Sequence, residues 1–148
     1  MLGTVLNLVY CFVASLFFAL IMNAPKKTLI ITSISASLGY FIYISCSTVN
    51  STLGFFAGTI FVAMMGEILA RKFKMPATIF IFPAVIPIVP GFGLYQTMLA
   101  LVQNDITSAL EIGTKTILNI AAMAIAIALV SVLAVRCSSH LKKPHSFK

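Results

Sequence analysis

The sequence predicts an all-α membrane protein that crosses the bilayer five times, with its fourth helix broken at a Pro/Gly stretch. Of the 148 residues, 60% are hydrophobic and 9% are charged, and the mean hydropathy is +1.08. A soluble domain typically has about 45–50% apolar and about 25% charged residues. Long apolar segments account for nearly all of the chain. We therefore expect one membrane domain in residues 1–135, followed by a basic cytoplasmic tail in residues 136–148.

Five apolar segments have about the length that a membrane-spanning helix needs. A bilayer core about 30 Å thick requires roughly 20 apolar residues in a helix, since lipid offers no partners for backbone N–H and C=O groups. The first segment is expected to be retained, because no basic residue precedes it and a basic turn, not a small-residue cleavage site, follows it. The predicted spans are residues 5–22, 28–46, 52–70, 77–102 and 117–135.

The basic residues predict the orientation of these spans. If the N-terminus lies outside, nine of the ten Lys and Arg residues fall on the cytoplasmic side, as the positive-inside rule requires. The exception, Lys115, lies four residues after Glu111, a spacing that favours an ion pair on a helix. The outer loop that holds this pair, residues 103–116, is expected to contain a short interfacial helix that begins near Asn104 or Asp105.

The fourth segment contains the most informative pattern, three prolines and two glycines at Pro83, Pro87, Pro90, Gly91 and Gly93. Each proline lacks the N–H that a helix needs, so three close together predict a break. Broken helices are tolerated where their free backbone lines a cavity, and they commonly form the substrate sites of secondary transporters. A new helix that begins near Gly93 would direct free N–H groups at a carboxylate. We predict a binding site for a small anionic or zwitterionic solute; a kink that serves packing alone is the alternative.

Two further side chains are candidates for this function. Tyr95 follows the Pro/Gly stretch and is predicted to place a hydroxyl near the ligand. Glu67 is the one acid within a predicted span, and an intramembrane acid is a candidate for proton coupling. Glu67 also lies one turn from the cytoplasmic end with Arg71 at i+4, and we favour an ion pair at the membrane interface as its role.

Small and hydroxyl-bearing residues in the second and third spans predict helix contacts. Ser33 and Ser37 share one face. Their hydroxyls either line a polar path or bond to carbonyls of their own helix. Gly54, Gly58 and Gly66 share a face of the third span and predict a surface for close helix packing.

Other chemistry has few side chains available. With three acidic residues and two histidines, we predict that the chain is not an enzyme and binds no cofactor. The excess positive charge is taken up by membrane flanks, which argues against a nucleic-acid surface. The cysteines have no paired spacing, and the C-terminal Cys and His residues match no metal motif; these residues are Cys11, Cys46, Cys137, His140 and His145.

Residues 84–91, with the sequence AVIPIVPG, and Tyr95 four residues later resemble the threonine/serine exporter family. Together with the five-span layout and the chain length, they are similar to its small membrane subunits of the YjjB type and to the C-terminal membrane half of ThrE. The resemblance implies export of small carboxylates, either threonine and serine or a succinate-like dicarboxylate. It also implies a larger, YjjP-like membrane subunit as partner and a location in the bacterial inner membrane.

An odd number of spans agrees with such a partner. Two similar halves with odd numbers of crossings have opposite orientations, which is the inverted-repeat plan of many secondary transporters. We expect this chain to be one half, with the site at the interface between halves and an ion gradient as the energy source, since no nucleotide-binding loop is present. A homo-oligomeric channel and a non-transporting assembly protein are the alternatives.

Overall fold

The computed structural model describes residues 2–141 of the chain, and it describes side chains from Gly3 to Arg136. Residues 142–148 lie outside the described residues, as do the side chains of Cys137 and His140 and the whole of His145. The elements in chain order are α1 (Leu2–Ile21), α2 (Lys26–Ser47), α3 (Ser51–Phe73), α4 (Thr78–Val85), a 3₁₀ turn (Ile86–Ile88), α5 (Gly91–Val102) and α6 (Ile106–Leu141).

The lengths and compositions of these helices confirm the polytopic all-α class. Four helices, α1, α2, α3 and α6, are each long and apolar enough to cross a membrane. The segment formed by α4 and the 3₁₀ turn meets the same criteria together with α5, as one pair bent by 57°. Counting this broken pair as one span gives the five predicted spans.

The long helices pack side by side in the order α1, α2, α3 and α6. Helix α4 packs against α1, α2 and α3 and fills the core of the bundle, where Ile81, Ala84 and Val85 pack with Val62 of α3. Helix α5 contacts α6 and, among the described helices, no other. The two halves of the broken pair therefore have different surroundings.

The glycines of α3 make the predicted packing surface, and they serve two neighbours. A Cβ atom on Gly58 would lie 2.9 Å from the backbone oxygen of Gly39, and one on Gly54 would lie 2.9 Å from that of Tyr43. These two glycines therefore allow the backbones of α2 and α3 to approach closely. Gly66 instead faces the side chain of Ile81 on α4.

Two polar contacts set the register of α3 and α6. The Thr52 hydroxyl donates to Oδ1 of Asn119 at 2.9 Å, and the Arg71 guanidinium donates to the carbonyl of Ala134. The residue near the start of α3 contacts the earlier of the two α6 residues, and the residue near the end of α3 contacts the later one. Helices α3 and α6 are therefore parallel. Residues 106–118 of α6 therefore extend about 20 Å beyond the level of Thr52, at 1.5 Å per residue.

The predicted interfacial helix and the predicted fifth span are one helix, α6, of 36 residues. The expected interfacial helix therefore leads directly into the last span. The predicted cap and ion pair are confirmed: Asp105 accepts a hydrogen bond from the Ser108 N–H at 3.1 Å, and Lys115 contacts Glu111 at 2.8 Å. Hydrogen bonds from Ser108 lower the pKa of Asp105. Helix α6 also continues through residues 136–141, the first part of the predicted tail.

Helix α5 turns back along the extended part of α6. Gly93 packs against Thr116, and Gly113 packs against Thr97. The turn between the helices includes Asn104 at a φ of 59°, a left-handed conformation that Asn tolerates better than most residues. We call residues 91–118 the projecting hairpin, since they lie beyond the level at which α3 begins.

Candidate functional site

The break in the fourth segment lies between Val85 and Gly91. After α4 the chain makes the 3₁₀ turn and then extends at Val89, which has φ −53° and ψ 133°. The Val89 N–H donates to the carbonyls of Val85 and Ile86, both at 3.3 Å, and the Gly91 N–H donates to Val89 at 2.7 Å. The predicted break is confirmed, and the carbonyl of Ile86 has found a donor in Val89 in place of the missing N–H of Pro90.

Of the three prolines that predicted the break, Pro83 lies outside it. Pro83 lies inside α4, and its side chain is fully buried in the bundle. A single missing N–H is tolerated in a membrane helix whose neighbours hold it in place. Pro87 and Pro90, only three residues apart, both fall where the helix ends.

A cavity of about 300 Å³ opens beside the break, and we call it the break cavity. Four parts of the chain line it: the second half of α2, the start of α3, the break with the first turn of α5, and α6 at the level of Asn119. Its lining residues are Tyr40, Tyr43, Ser51, Phe55, Pro87, Ile88, Val89, Pro90, Gly91, Phe92, Gly93, Thr116 and Asn119.

The break cavity offers neutral polar groups. No charged side chain occurs among its described lining residues. Asn119 accepts the Thr52 hydroxyl through Oδ1, which leaves its amide N–H groups to donate. The rings of Tyr43 and Phe55 contact each other at a tilt of 48°, with centroids 4.7 Å apart, so one wall is aromatic.

The backbone at the start of α5 adds hydrogen-bond donors. The first N–H groups of a helix have no acceptor within that helix. In α5 the Gly91 N–H donates to the carbonyl of Val89, and the Leu94 N–H donates to the carbonyl of Pro90. Those of Phe92 and Gly93 are therefore the donors that this helix start presents, and both residues line the cavity. Such a helix start favours a negatively charged group.

The structure brings most of the predicted site residues together. Pro87, Pro90, Gly91 and Gly93 line the break cavity. Pro83 lies in the core, and Tyr95 points away from the cavity on an exposed face of α5, with 62% of its surface accessible. A hydroxyl role for Tyr95 at this cavity is therefore not supported, because Tyr95 lies on a face of α5 that does not line the cavity.

The cavity also contains residues that the sequence pattern did not single out as a site. Tyr40, Tyr43, Ser51, Thr116 and Asn119 come from three other helices. These residues share no spacing or motif in the sequence, so the signal from each is weak. Only the packing of α2, α3 and α6 around the break shows that they meet.

The hydroxyls of the second span do not form a polar path to this cavity. Ser33 donates to the Leu29 carbonyl at 2.9 Å within its own helix, and Ser37 donates to the Leu8 carbonyl of α1 at 3.0 Å. Neither residue lines the break cavity. Ser33 therefore bonds within its own helix, as one of the two predicted roles requires, whereas Ser37 bonds to a neighbouring helix.

Glu67 lies in a different place, a groove of about 360 Å³ between α3 and α6 that is lined mostly by aliphatic side chains. The predicted ion pair with Arg71 is wrong: among the described residues, Glu67 has no ion-pair partner, and Arg71 donates to the Ala134 carbonyl instead. The reason is the parallel packing of α6, which brings a carbonyl within reach of the long Arg71 side chain.

The fold and the site together define a polytopic α-helical membrane protein with a small, uncharged cavity at a broken helix. The chain belongs to the threonine/serine exporter family, since residues 7–133 match the family described as Threonine/Serine exporter, ThrE. This confirms the resemblance found in the Pro/Gly stretch, and it places the chain in a family of transporters.

A relative in Haemophilus influenzae supports a common origin for much of the chain. This uncharacterized protein is 28% identical over 105 residues, which cover 70% of the chain and 35% of the relative. The chain thus matches about a third of the relative's length. No solved structure matches the chain.

Proposed function

We propose that the chain is the small membrane subunit of a secondary transporter that exports threonine and serine, and that the solute binds in the break cavity. The observation that carries this proposal is the cavity itself, in which a broken helix directs free N–H groups into a space of about 300 Å³. This volume is at the lower end of the usual range for ligand pockets, roughly 300–1,000 Å³, and suits a small solute.

The groups around the cavity suit a zwitterion. The α-carboxylate would accept hydrogen bonds from the Phe92 and Gly93 N–H groups at the positive end of the α5 dipole. The ammonium group would lie against neutral oxygen atoms, such as the hydroxyls of Tyr40 and Tyr43. The amide N–H of Asn119 would donate to the side-chain hydroxyl of threonine or serine.

A succinate-like dicarboxylate fits these groups less well. Its second carboxylate would need a cation or another set of donors, because burying an unpaired charge costs far more than burying a hydroxyl. The described lining residues include no Lys or Arg. We therefore favour threonine and serine as substrates over a dicarboxylate.

The working transporter in this proposal contains a second, larger subunit and resides in the bacterial inner membrane. The N-terminus lies outside and the C-terminus in the cytoplasm, in line with the positive-inside rule. The partner provides the other half of an inverted pair, and rocking of one half against the other gives alternating access. The matched relative agrees with such a plan, because only 35% of its length corresponds to this chain. Glu67 is the candidate for coupling to protons.

A bulky side chain at a lining position tests the proposed site. Gly91 lines the cavity, and a Cβ atom on it would meet no other atom within 4 Å, so Gly91→Leu adds such a side chain without a steric clash. We expect efflux of labelled threonine to fall at least tenfold, with normal protein levels in the membrane. Gly3→Leu is the matched control, since Gly3 is equally unobstructed but lies outside the lining. Equal efflux by the two variants would place the substrate elsewhere.

Expression with and without a partner tests the half-transporter plan. Cells that make this chain alone are compared with cells that also make the larger family subunit, with labelled threonine and labelled succinate as solutes. We expect saturable threonine efflux only when both chains are present. Full efflux by this chain alone would contradict the plan, and flux that does not saturate would favour a channel.

A further inference from the structure

The groove that contains Glu67 combines aliphatic walls with two charged groups, and we call it the α3–α6 groove. It runs along one face of α3, because its α3 residues recur at helical spacing. Glu67 and Arg71, in the last two turns of α3, bring an acid and a base to one end of it. An apolar groove with charges at one end suits an amphipathic ligand. The other lining residues are Ile60, Met64, Ile68, Leu129, Val130, Leu133 and Ala134.

Neither charge of the α3–α6 groove has a charged partner among the described residues. Glu67 is half-buried and makes no ion pair there. The Arg71 guanidinium donates to the Ala134 carbonyl, but a guanidinium has five N–H donors, so most of them are left for another acceptor. An ionised side chain that faces lipid is costly unless it is paired. The groove therefore favours a ligand with a cation for Glu67 and an anion for Arg71.

The position of the α3–α6 groove matches one leaflet of a bilayer. From Ile60 to Arg71 it extends along α3 for about 16 Å, at 1.5 Å per residue. This is about half of a bilayer core of about 30 Å. Arg71 lies two residues before the end of α3, so the charged end lies at the membrane interface. In the predicted orientation this is the cytoplasmic leaflet.

We propose that the α3–α6 groove binds one phospholipid with an ethanolamine headgroup. Its phosphate accepts hydrogen bonds from Arg71, its ammonium group donates to Glu67, and an acyl chain lies along the aliphatic walls towards Ile60. The lipid contacts both helices and joins α3 to α6 at this end. This proposal concerns a lipid contact and does not rest on the transport activity.

The two charges distinguish this headgroup from those of other phospholipids. All of them offer a phosphate, which an Arg side chain binds well. A headgroup without a cation would leave Glu67 unpaired and place a second anion beside it. A choline headgroup has a cation, but its methyl groups leave no N–H to donate to the Glu67 carboxylate. An ethanolamine headgroup satisfies both side chains.

A helix of another protein fits the α3–α6 groove less well. It could cover the aliphatic walls, but it would have to bring an acid and a base of its own to the same level of the membrane. Charged side chains within membrane spans are costly and rare. The lipid headgroup already has both charges at the level of Glu67 and Arg71.

Lipid competition tests the choice of headgroup. The purified full chain in detergent is mixed with equal amounts of phosphatidylethanolamine, phosphatidylcholine and phosphatidylglycerol that have the same acyl chains. Native mass spectrometry then counts the lipids bound to each chain. We expect one bound lipid, with phosphatidylethanolamine about tenfold ahead of either competitor, as one charge-assisted hydrogen bond predicts. No bound lipid, or equal binding of the three lipids, would overturn the proposal.

Two variants test the two charges separately in the same mixture. Glu67→Gln removes no described contact and should abolish most of the preference for phosphatidylethanolamine, because a neutral amide gains little from an ammonium group. Arg71→Gln should lower the binding of all three lipids about tenfold, because each has a phosphate. Lys72→Gln is the matched control, since Lys72 is an exposed base beside Arg71 and does not line the groove. An unchanged preference in Glu67→Gln, or equal losses in Arg71→Gln and Lys72→Gln, would contradict the proposal.

Photo-cross-linking in membranes distinguishes a lipid from a protein in the groove. With the native cysteines replaced by alanine, Ile68→Cys and Val132→Cys are each given a photoreactive label in cells that also make the larger family subunit. Val132 is the matched control, since it is 54% exposed, against 55% for Ile68, and lies near the Arg71–Ala134 contact but outside the lining. We expect Ile68→Cys to attach to phosphatidylethanolamine in excess of its share of membrane lipid, and Val132→Cys to attach to lipids in proportion to their share. A protein adduct at Ile68→Cys, or the same lipids at both positions, would refute the site.

Discussion

Single residues determine how closely α2 and α3 pack. At Gly58 a methyl group would lie 2.9 Å from the backbone oxygen of Gly39, and a backbone atom cannot rotate away as a side chain does. Gly58→Ala should therefore force the two helices apart and lower the free energy of unfolding by about 1–3 kcal/mol, the usual cost of overpacking.

Thermal unfolding in detergent measures this effect. Gly3→Ala is the control, because no atom lies within 4 Å of the added Cβ; it should leave the midpoint unchanged. If both variants unfold at the same temperature, the two backbones do not have the close contact described above.

Glu67 and Arg71 are predicted to act independently. Arg71 contacts the Ala134 carbonyl of α6, so Arg71→Gln should weaken the contact between α3 and α6 by about 1 kcal/mol. Glu67→Gln removes no described contact and should change stability by no more than about 0.5 kcal/mol. A double-mutant cycle on unfolding in detergent measures the coupling. A coupling well above zero would restore the ion pair that the sequence predicted.

At the scale of one element, the prolines of the fourth segment are not equivalent. Pro90 lies at the break and lines the cavity, whereas Pro83 lies within α4. Pro90→Ala supplies the N–H that a continuous helix needs at this position. We expect it to extend the helix, to reduce the cavity and to lower threonine efflux.

Pro83→Ala is the comparison for this experiment, because it changes the same residue type seven positions earlier and leaves the break intact. Its efflux should stay close to that of the wild type at equal protein levels. Equal losses from the two variants would mean that the segment responds to any change of proline, and that the break has no special role in transport.

The elements show both the success and the limit of local patterns. Hydropathy located all five spans, and the prolines located the break to within a few residues. At the start of α6 the pattern predicted a short interfacial helix before the last span, and the structure joins the two in one helix. An i,i+4 ion pair and a capping Asp105 also stabilise a longer helix, and packing against α5 is what favours the continuous one.

At the scale of the whole molecule, the distribution of charge predicts the orientation. The α2–α3 loop should lie outside the cell and the end of α3 inside. In a chain without native cysteines, Val49→Cys should react with a membrane-impermeant thiol reagent in intact cells. Lys74→Cys should react only after the membrane is permeabilised. The reverse pattern would show that the protein is inserted the other way round.

The sequence by itself determined the class of protein, the five spans, the position of the break and the family, because hydropathy, proline content and short motifs are properties of neighbouring residues. The tertiary structure decided which residues form the cavity, since Tyr43, Ser51 and Asn119 lie on separate helices and meet only through packing. It also decided that Arg71 bonds to Ala134 and that α5 folds back along α6. These contacts join residues that are far apart in the chain, and their positions depend on the fit of whole helix surfaces.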